Sequence, residues 1–230
     1  METPSSTNES KSQYPLKAQG FLTGLASLIL DHALNHPIQI WLVDNCETMH
    51  KNDGHLVSQW VKGKVEIVDC SQWEEVTSTI LWHAKRAAWC QTPMVMRLLH
   101  DPGTHAGPQQ VAVSASRHYS SKEEVERLRT LLKKTRPNGL TSPVYLHMKE
   151  LFPSIQSLVP ILHQTRKRLT LCVCTDSIPT DEFGEENPRM IAEFLVTLQQ
   201  LVNWPVQVVI RLTTNKERVV QSFWLLLFFN

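Results

Sequence analysis

The chain has 230 residues, 42% of them apolar, enough for one domain with a real core plus a tail. Lys and Arg number 23 against 22 Asp and Glu, a formal charge of +1, so no basic stripe argues for nucleic acid and no polybasic patch for a membrane surface. No run approaches the roughly 20 apolar residues that a membrane helix needs.

Residues 1–13 are rich in Ser, Thr, Asn and Lys and lack the apolar core of a signal peptide, so residues 1–16 read as a disordered tail ahead of a single domain over 17–230. Residues 14–36 carry Phe21, Leu22, Leu25, Leu28, Ile29 and Ala33 near helical spacing, which predicts an amphipathic helix ended by Pro37. Ile38–Val43 is short and apolar and predicts a buried strand. Residues 50–64 are polar, punctuated by Gly54 and Gly63, and read as a loop with a short strand at 56–61. Lys64–Cys70 alternates, as a strand exposed on one face does.

Ser71 with Glu74 forms a capping-box signature for a helix reaching Trp89 and stopped by Pro93. Residues 94–99 and 111–116 read as strands, with a loop at 101–110 between them. Ser121 is placed to cap a charged helix over 122–134 with Val125, Leu128, Leu131 and Leu132 on one side. After the loop at 136–143, residues 144–151 and 154–164 read as two helices broken at Pro153. A strand at 169–174, a helix at Pro188–Val202, a strand at 206–213 and a helix from 216 to 223 complete the chain. Strands alternating with helices predict an α/β fold: a mostly parallel central sheet with helices on both faces, Rossmann-like in its layering.

Several chemistries have no motif here. The chain lacks a GxxxxGK[ST] loop, a GxGxxG after a strand, a GxSxG elbow and an HExxH. His32 and His36 stand four apart, a chelating spacing without a third ligand, and read as surface. Five cysteines, Cys46, Cys70, Cys90, Cys172 and Cys174, are odd in number and show no framework spacing, which argues for reduced thiols and a cytoplasmic setting. Cys172 and Cys174 share one strand face and read as buried thiols.

Two acidic segments each follow an apolar run. Ile38–Val43 leads into Asp44-Asn-Cys46-Glu-Thr48, and 169–174 leads into Thr175-Asp176-Ser177; between them lies Gly139-Leu-Thr141-Ser-Pro143. Acidic loops at the carboxyl ends of buried strands are where open α/β sheets place ligand sites. The trio, in this order, resembles the von Willebrand factor A-type domain over residues 38–223, most of the chain. In that family an Asp-x-Ser-x-Ser strand end, a threonine from a Gly-Thr loop and an aspartate from a Thr-Asp-Gly loop form a metal-ion-dependent adhesion site.

The resemblance implies a three-layer fold and Mg2+, or Mn2+, held by Asp44, Cys46, Thr48, Thr141 and Asp176. It also implies a protein partner that completes the ion's shell with an acidic side chain. The chain departs from the family at Cys46, a soft thiol where the pattern has serine, and at Ser177 for glycine. Hence the expectation is a protein-interaction module with a degenerate cation site and no enzymatic activity. The alternatives are a metal-dependent phosphoryl-transfer hydrolase using Asp44 and Asp176, or a scaffold that has lost its metal. The hydrolase reading calls for a second acid at position 46 or a lysine near the site, and the sequence displays neither. Further acid at Asp181, Glu182, Glu185 and Glu186 reads as a solvated helix start or as a rim for a basic partner. The apolar run after Ser222 is too short to span a bilayer; it reads as a truncated end or a plug on the core, with a membrane-dipping tail as the alternative.

Overall fold

The computed structural model describes residues 16–18, 21–61, 64–181 and 183–228. Residues 1–15 of the expected tail, Glu182 and residues 229–230 lie outside the described residues, while Leu16, placed at the end of that tail, is fully buried.

The chain is α/β, with one mostly parallel sheet of five strands. β1 (Ile38–Val43) is its centre, paired in parallel with β4 (Met94–Leu98) on one side and β6 (Leu169–Thr175) on the other. β7 (Val206–Leu212) extends the sheet in parallel beyond β6, and β5 (Gln110–Val113) closes the opposite edge antiparallel to β4. β1 and β6 are buried on both faces, which explains their near-continuous apolar runs. On one face, α2 (Gln72–Cys90) and α3 (Ser121–Lys134) pack Val76, Ile80, Leu128 and Leu131 against Trp41, Val43, Met94 and Met96. On the other, α4 (Val144–Thr165), α5 (Pro188–Val202) and α6 (Glu217–Phe228) cover Ile40, Leu42, Leu171 and Val173.

The strand order β5-β4-β1-β6-β7 places β1 and β6 side by side although they are distant in sequence. The chain leaves β1 toward one edge and returns on its other side, so a topological switch point, with its crevice, opens at the carboxyl ends of β1 and β6.

Five details differ from the sequence reading. The first helix, α1 (Thr23–Asn35), starts later and buries Ala26 and Ala33; Leu22 and Leu28 of the predicted apolar face are 80% and 65% exposed. Helical spacing alone does not say whether a partner surface is there to receive the stripe.

The region expected to be mainly loop forms, with the next strand, a separate antiparallel hairpin of β2 (Gly54–Val61) and β3 (Lys64–Cys70). β3 is exposed on both faces rather than one, with Ile67 66% and Val68 43% exposed. Ser120, not Ser121, caps α3, and its reciprocal bond with Glu123 completes a capping box, as Ser71 and Glu74 do for α2. Finally, α4 runs through both Pro153 and Pro160. Each proline and the residue four before it, Lys149 or Gln156, is exposed, so water can satisfy the freed carbonyl. Met148, Leu151, Ile155 and Leu162 meanwhile hold the helix to the sheet.

The apolar carboxyl end begins as core. Phe223 is buried with its ring edge-on to Phe194 at 6.2 Å. Trp224 is 59% exposed, and the side chains from residue 225 onward lie outside the described residues. Phe194 is fully buried at the centre of this face. Phe194→Ala should cost about 3–5 kcal/mol, read from the urea midpoint at unchanged denaturant dependence; a loss under about 1 kcal/mol would mean that α5 does not pack as described.

Candidate functional site at the switch point

The site begins where β1 runs out. Asp44 follows the last paired residue of β1, and its N–H donates to Cys174 O on β6 at 2.9 Å. The carboxylate is wholly buried, and both of its oxygens accept hydrogen bonds. Oδ1 accepts the Cys46 N–H at 3.0 Å; Oδ2 accepts the hydroxyls of Ser142 at 2.6 Å and Thr175 at 2.8 Å. Burial raises the Asp44 pKa above the ordinary carboxylate range, opposed by these hydrogen bonds.

The chain then turns into a short 3-10 helix, Glu47–His50, which brings Cys46 and Thr48 over the carboxyl end of β6. Thr48 Oγ1 donates to Asp176 Oδ1 at 2.9 Å, and Cys46 Sγ lies 2.9 Å from Thr48 Oγ1 and 3.6 Å from Asp176 Oδ1. Burial and the nearby Asp44 carboxylate push the Cys46 thiol far above its usual value, so it stays protonated and acts as a neutral donor. Asp176 is also fully buried, and its Oδ2 accepts no hydrogen bond. The nearest cation is Lys216, whose Nζ lies 4.0 Å from that oxygen. A hydrogen bond with Lys51, then partial burial, lower the Lys216 pKa, so two lysines stand together beside the aspartate.

A third loop is locked against this pair of strand ends. Asn138 N–H donates to Asn45 O at 2.7 Å, and Glu47 N–H donates to Gly139 O at 3.0 Å. His100, after β4, exchanges two hydrogen bonds with the Asn45 side chain and places Nε2 2.7 Å from Thr141 O. Gly139 has φ +89°, and a Cβ there would meet the His100 ring at 2.7 Å, so only glycine fits this contact.

Of the five expected ligands, Asp44, Cys46 and Asp176 present ligand atoms within 4.8 Å of one another. Thr48 joins them through Asp176. Thr141 lines the adjoining cleft, and its neighbour Ser142 is the hydroxyl that reaches Asp44. Ser142, Thr175 and Lys216 belong to this cluster but were not among the expected ligands. Thr175 stood in the sequence motif ahead of Asp176, and the register explains its part: Val43 pairs with Cys174, so the next residues, Asp44 and Thr175, fall at one level. The lysine found missing by sequence is present in space as Lys216, supplied by the loop before α6.

The cleft has a volume of about 560 Å3, and Cys46, Thr48, Lys51, Leu140 and Thr141 are among the residues lining it. Its acidic side is partly neutralised, because Glu186 pairs with Arg218 and Asp181 Oδ1 accepts the N–H groups of Phe183 and Glu185. These acids form a turn ahead of α5, which is capped by Asn187. The unbonded, buried Asp176 Oδ2 suits a cation, whereas the protonated thiol of Cys46 departs from the hard oxygen set that Mg2+ prefers. Elsewhere, Cys172 and Cys174 are buried free thiols, and His32 and His36 stack on one another at 4.3 Å. Among the described residues, no helix is long and apolar enough to cross a membrane.

Because the Asp44 pKa is higher folded than unfolded, its contribution to stability is present below the ordinary carboxylate range and lost as pH rises through the raised value. In chelator, Asp44→Asn should therefore lose this part of the pH dependence. Melting curves across pH that match wild type in slope would contradict it. The sequence matches no protein-family model and no curated protein.

Proposed function

We propose that the chain is a protein-interaction module whose recognition centre is the cleft at the ends of β1 and β6. The observation that carries this reading is the fully buried Asp176 carboxylate, one oxygen of which has no hydrogen bond, beside Asp44, Cys46 and Thr48 at a topological switch point. On this reading the chain is an A-type domain with an altered adhesion site. Asp176, Thr48 and Cys46 would hold a divalent cation, with Asp44 behind them and Thr141 on the facing loop. Such an ion, Mg2+ or Mn2+, would supply a coordination position for an acidic side chain of the partner, with Mn2+ the better match to a sulfur neighbour once the thiol yields its proton.

The chain's own residues support partner binding in two further ways. Lys51 lines the cleft and offers a positive charge to an acidic group. Leu140 on the cleft wall is 81% exposed and Phe183 in the turn before α5 is 80% exposed, apolar surface of the kind partners cover.

Calorimetric titration with Mn2+ and Mg2+ tests the reading. Wild type should bind Mn2+ more tightly than Mg2+, Asp176→Ala should bind neither, and Cys46→Ser should gain about tenfold for Mg2+, or about 1.4 kcal/mol. Absence of binding in both wild type and Cys46→Ser would overturn the cation-dependent reading.

The hydrolase alternative gains one observation, Lys216 at 4.0 Å from Asp176. Against it, both oxygens of Asp44 are occupied by internal donors and the group has no exposure, which leaves no free nucleophile or ligand on that side. Hydrolysis of p-nitrophenyl phosphate with Mn2+, abolished in both Asp176→Ala and Lys216→Ala, would replace the interaction reading by an enzymatic one.

A further inference from the structure

A second cavity, unrelated to the switch point, lies between α1 and the sheet. Its floor is one face of three parallel strands in register: Gln39, Thr170 and Gln207 form one row, and Trp41, Cys172 and Val209 the next. Leu28 and Ile29 of α1 and His83 and Arg86 of α2 form the walls, and the volume is about 560 Å3, suited to a small organic molecule.

This cavity concentrates polar groups that lack partners. Gln39 Nε2, Trp41 Nε1, Arg86 Nε, Arg211 Nε and His83 Nδ1 are all buried atoms without a hydrogen bond. Gln39 is 2%, Trp41 3% and Arg86 7% exposed. Nearly all buried donors in folded proteins are paired, so four N–H donors without a protein acceptor around one space make a lining suited to an acceptor.

The charge is unmatched in the same way. Arg211 is paired with Glu75 at 2.7 Å, but Arg86 makes no ion pair among the described residues, and no Asp or Glu lines the cavity. An unpaired guanidinium is seldom buried. Burial lowers the pKa of His83 to about 3 and also lowers that of His32, so neither ring adds charge near neutral pH. The space therefore presents one uncompensated positive charge, several neutral donors, and the apolar side chains of Leu28, Ile29 and Val209 beside the Trp41 ring.

We propose that this cavity is a binding site for a small organic carboxylate with an apolar or aromatic body. One negative charge matches Arg86, and the planar carboxylate accepts from a guanidinium fork. Its oxygens can also accept from Trp41 Nε1 and Gln39 Nε2, while the body takes the place of water against Leu28, Ile29 and Val209. A phosphate monoester, with nearly two charges, would exceed the single cation available.

The test uses the whole chain with phenylacetate, indole-3-acetate and octanoate as probes, phenylacetamide as the neutral analogue and phenyl phosphate as the dianionic one. In amide-and-indole NMR spectra, the Trp41 indole N–H, identified by its loss in Trp41→Phe, should shift saturably with at least one carboxylate. Calorimetry should find phenylacetamide and phenyl phosphate weaker than the best aromatic carboxylate by about tenfold or more, and Arg86→Met reduced as much. Without ligand, Arg86→Met should also melt higher than wild type, because it removes an unpaired buried charge. An arginine serving only the fold would give a lower melting point.

No saturable shift at Trp41 with any carboxylate would overturn the proposal, as would equal binding of phenylacetamide. Tighter binding of phenyl phosphate would overturn the assignment to a carboxylate. Should Arg86→Met fail to fold, the wild-type shift and its weakening in Arg86→Lys decide the matter. Neither cavity residue touches the cation cluster, so Asp176→Ala should leave these results unchanged.

Discussion

A carboxylate with no exposure to water has to find its donors inside the protein, and Asp44 finds them on three separate segments. The backbone N–H of Cys46, the Ser142 hydroxyl and the Thr175 hydroxyl all converge on it. Those three donors belong to the turn after β1, the loop before α4 and the end of β6. Removing a buried charge from water is tolerated only with such compensation. Together with the Asn45 bonds to Asn138 and His100, Asp44 ties the loops at this end of the sheet to one another, and with the loops come Thr48, Thr141 and Asp176.

The two aspartates at the switch point play unequal parts. Asp44 is saturated by internal donors and organises the loops, whereas Asp176 has one oxygen committed to Thr48 and one left over. Lys216 stands close enough to Asp176 to moderate its charge but too far for a hydrogen bond. An incoming cation would thus compete with a tethered ammonium rather than with water alone. The carboxyl ends of β1 and β6 lie beyond the strands, while the second cavity lies on their flank, so the same strands serve both regions without sharing residues.

Much of the fold was legible because it rests on local rules. The apolar run at Ile38–Val43 became the central strand, and Ser71 with Glu74 became a true capping box. What was not legible depends on what comes to lie opposite. Leu22 and Leu28 have helical spacing but are largely exposed, while the buried residues of the helix are Ala26 and Ala33. Pro153 breaks helices in general, but here it and Lys149 lie on the exposed side of a helix whose other side is held by Met148 and Ile155. At the site, Asp44, Cys46, Thr48 and Asp176 were readable as short motifs at strand ends. Lys216 was not, because only the parallel pairing of β6 with β7 brings its loop alongside Asp176. The second cavity had no motif at all: Gln39, Arg86 and Arg211 come from three elements and meet only in three dimensions.

The hairpin of β2 and β3 meets the body closely at its base. A Cβ at Gly54 would fall 2.7 Å from Ser71 O, and the Gln72 N–H donates to Lys51 O at 2.9 Å. Main chain therefore lies directly on main chain where the hairpin leaves the domain. Side chains join these backbone contacts at the same place: Gln72 Nε2 donates to Asp53 Oδ1 at 2.5 Å, and Glu75 accepts the His55 N–H at 3.0 Å. The arm's direction is thus set at its base, where residue 54 has room only for glycine, and not at its exposed positions Val57, Ile67 and Val68.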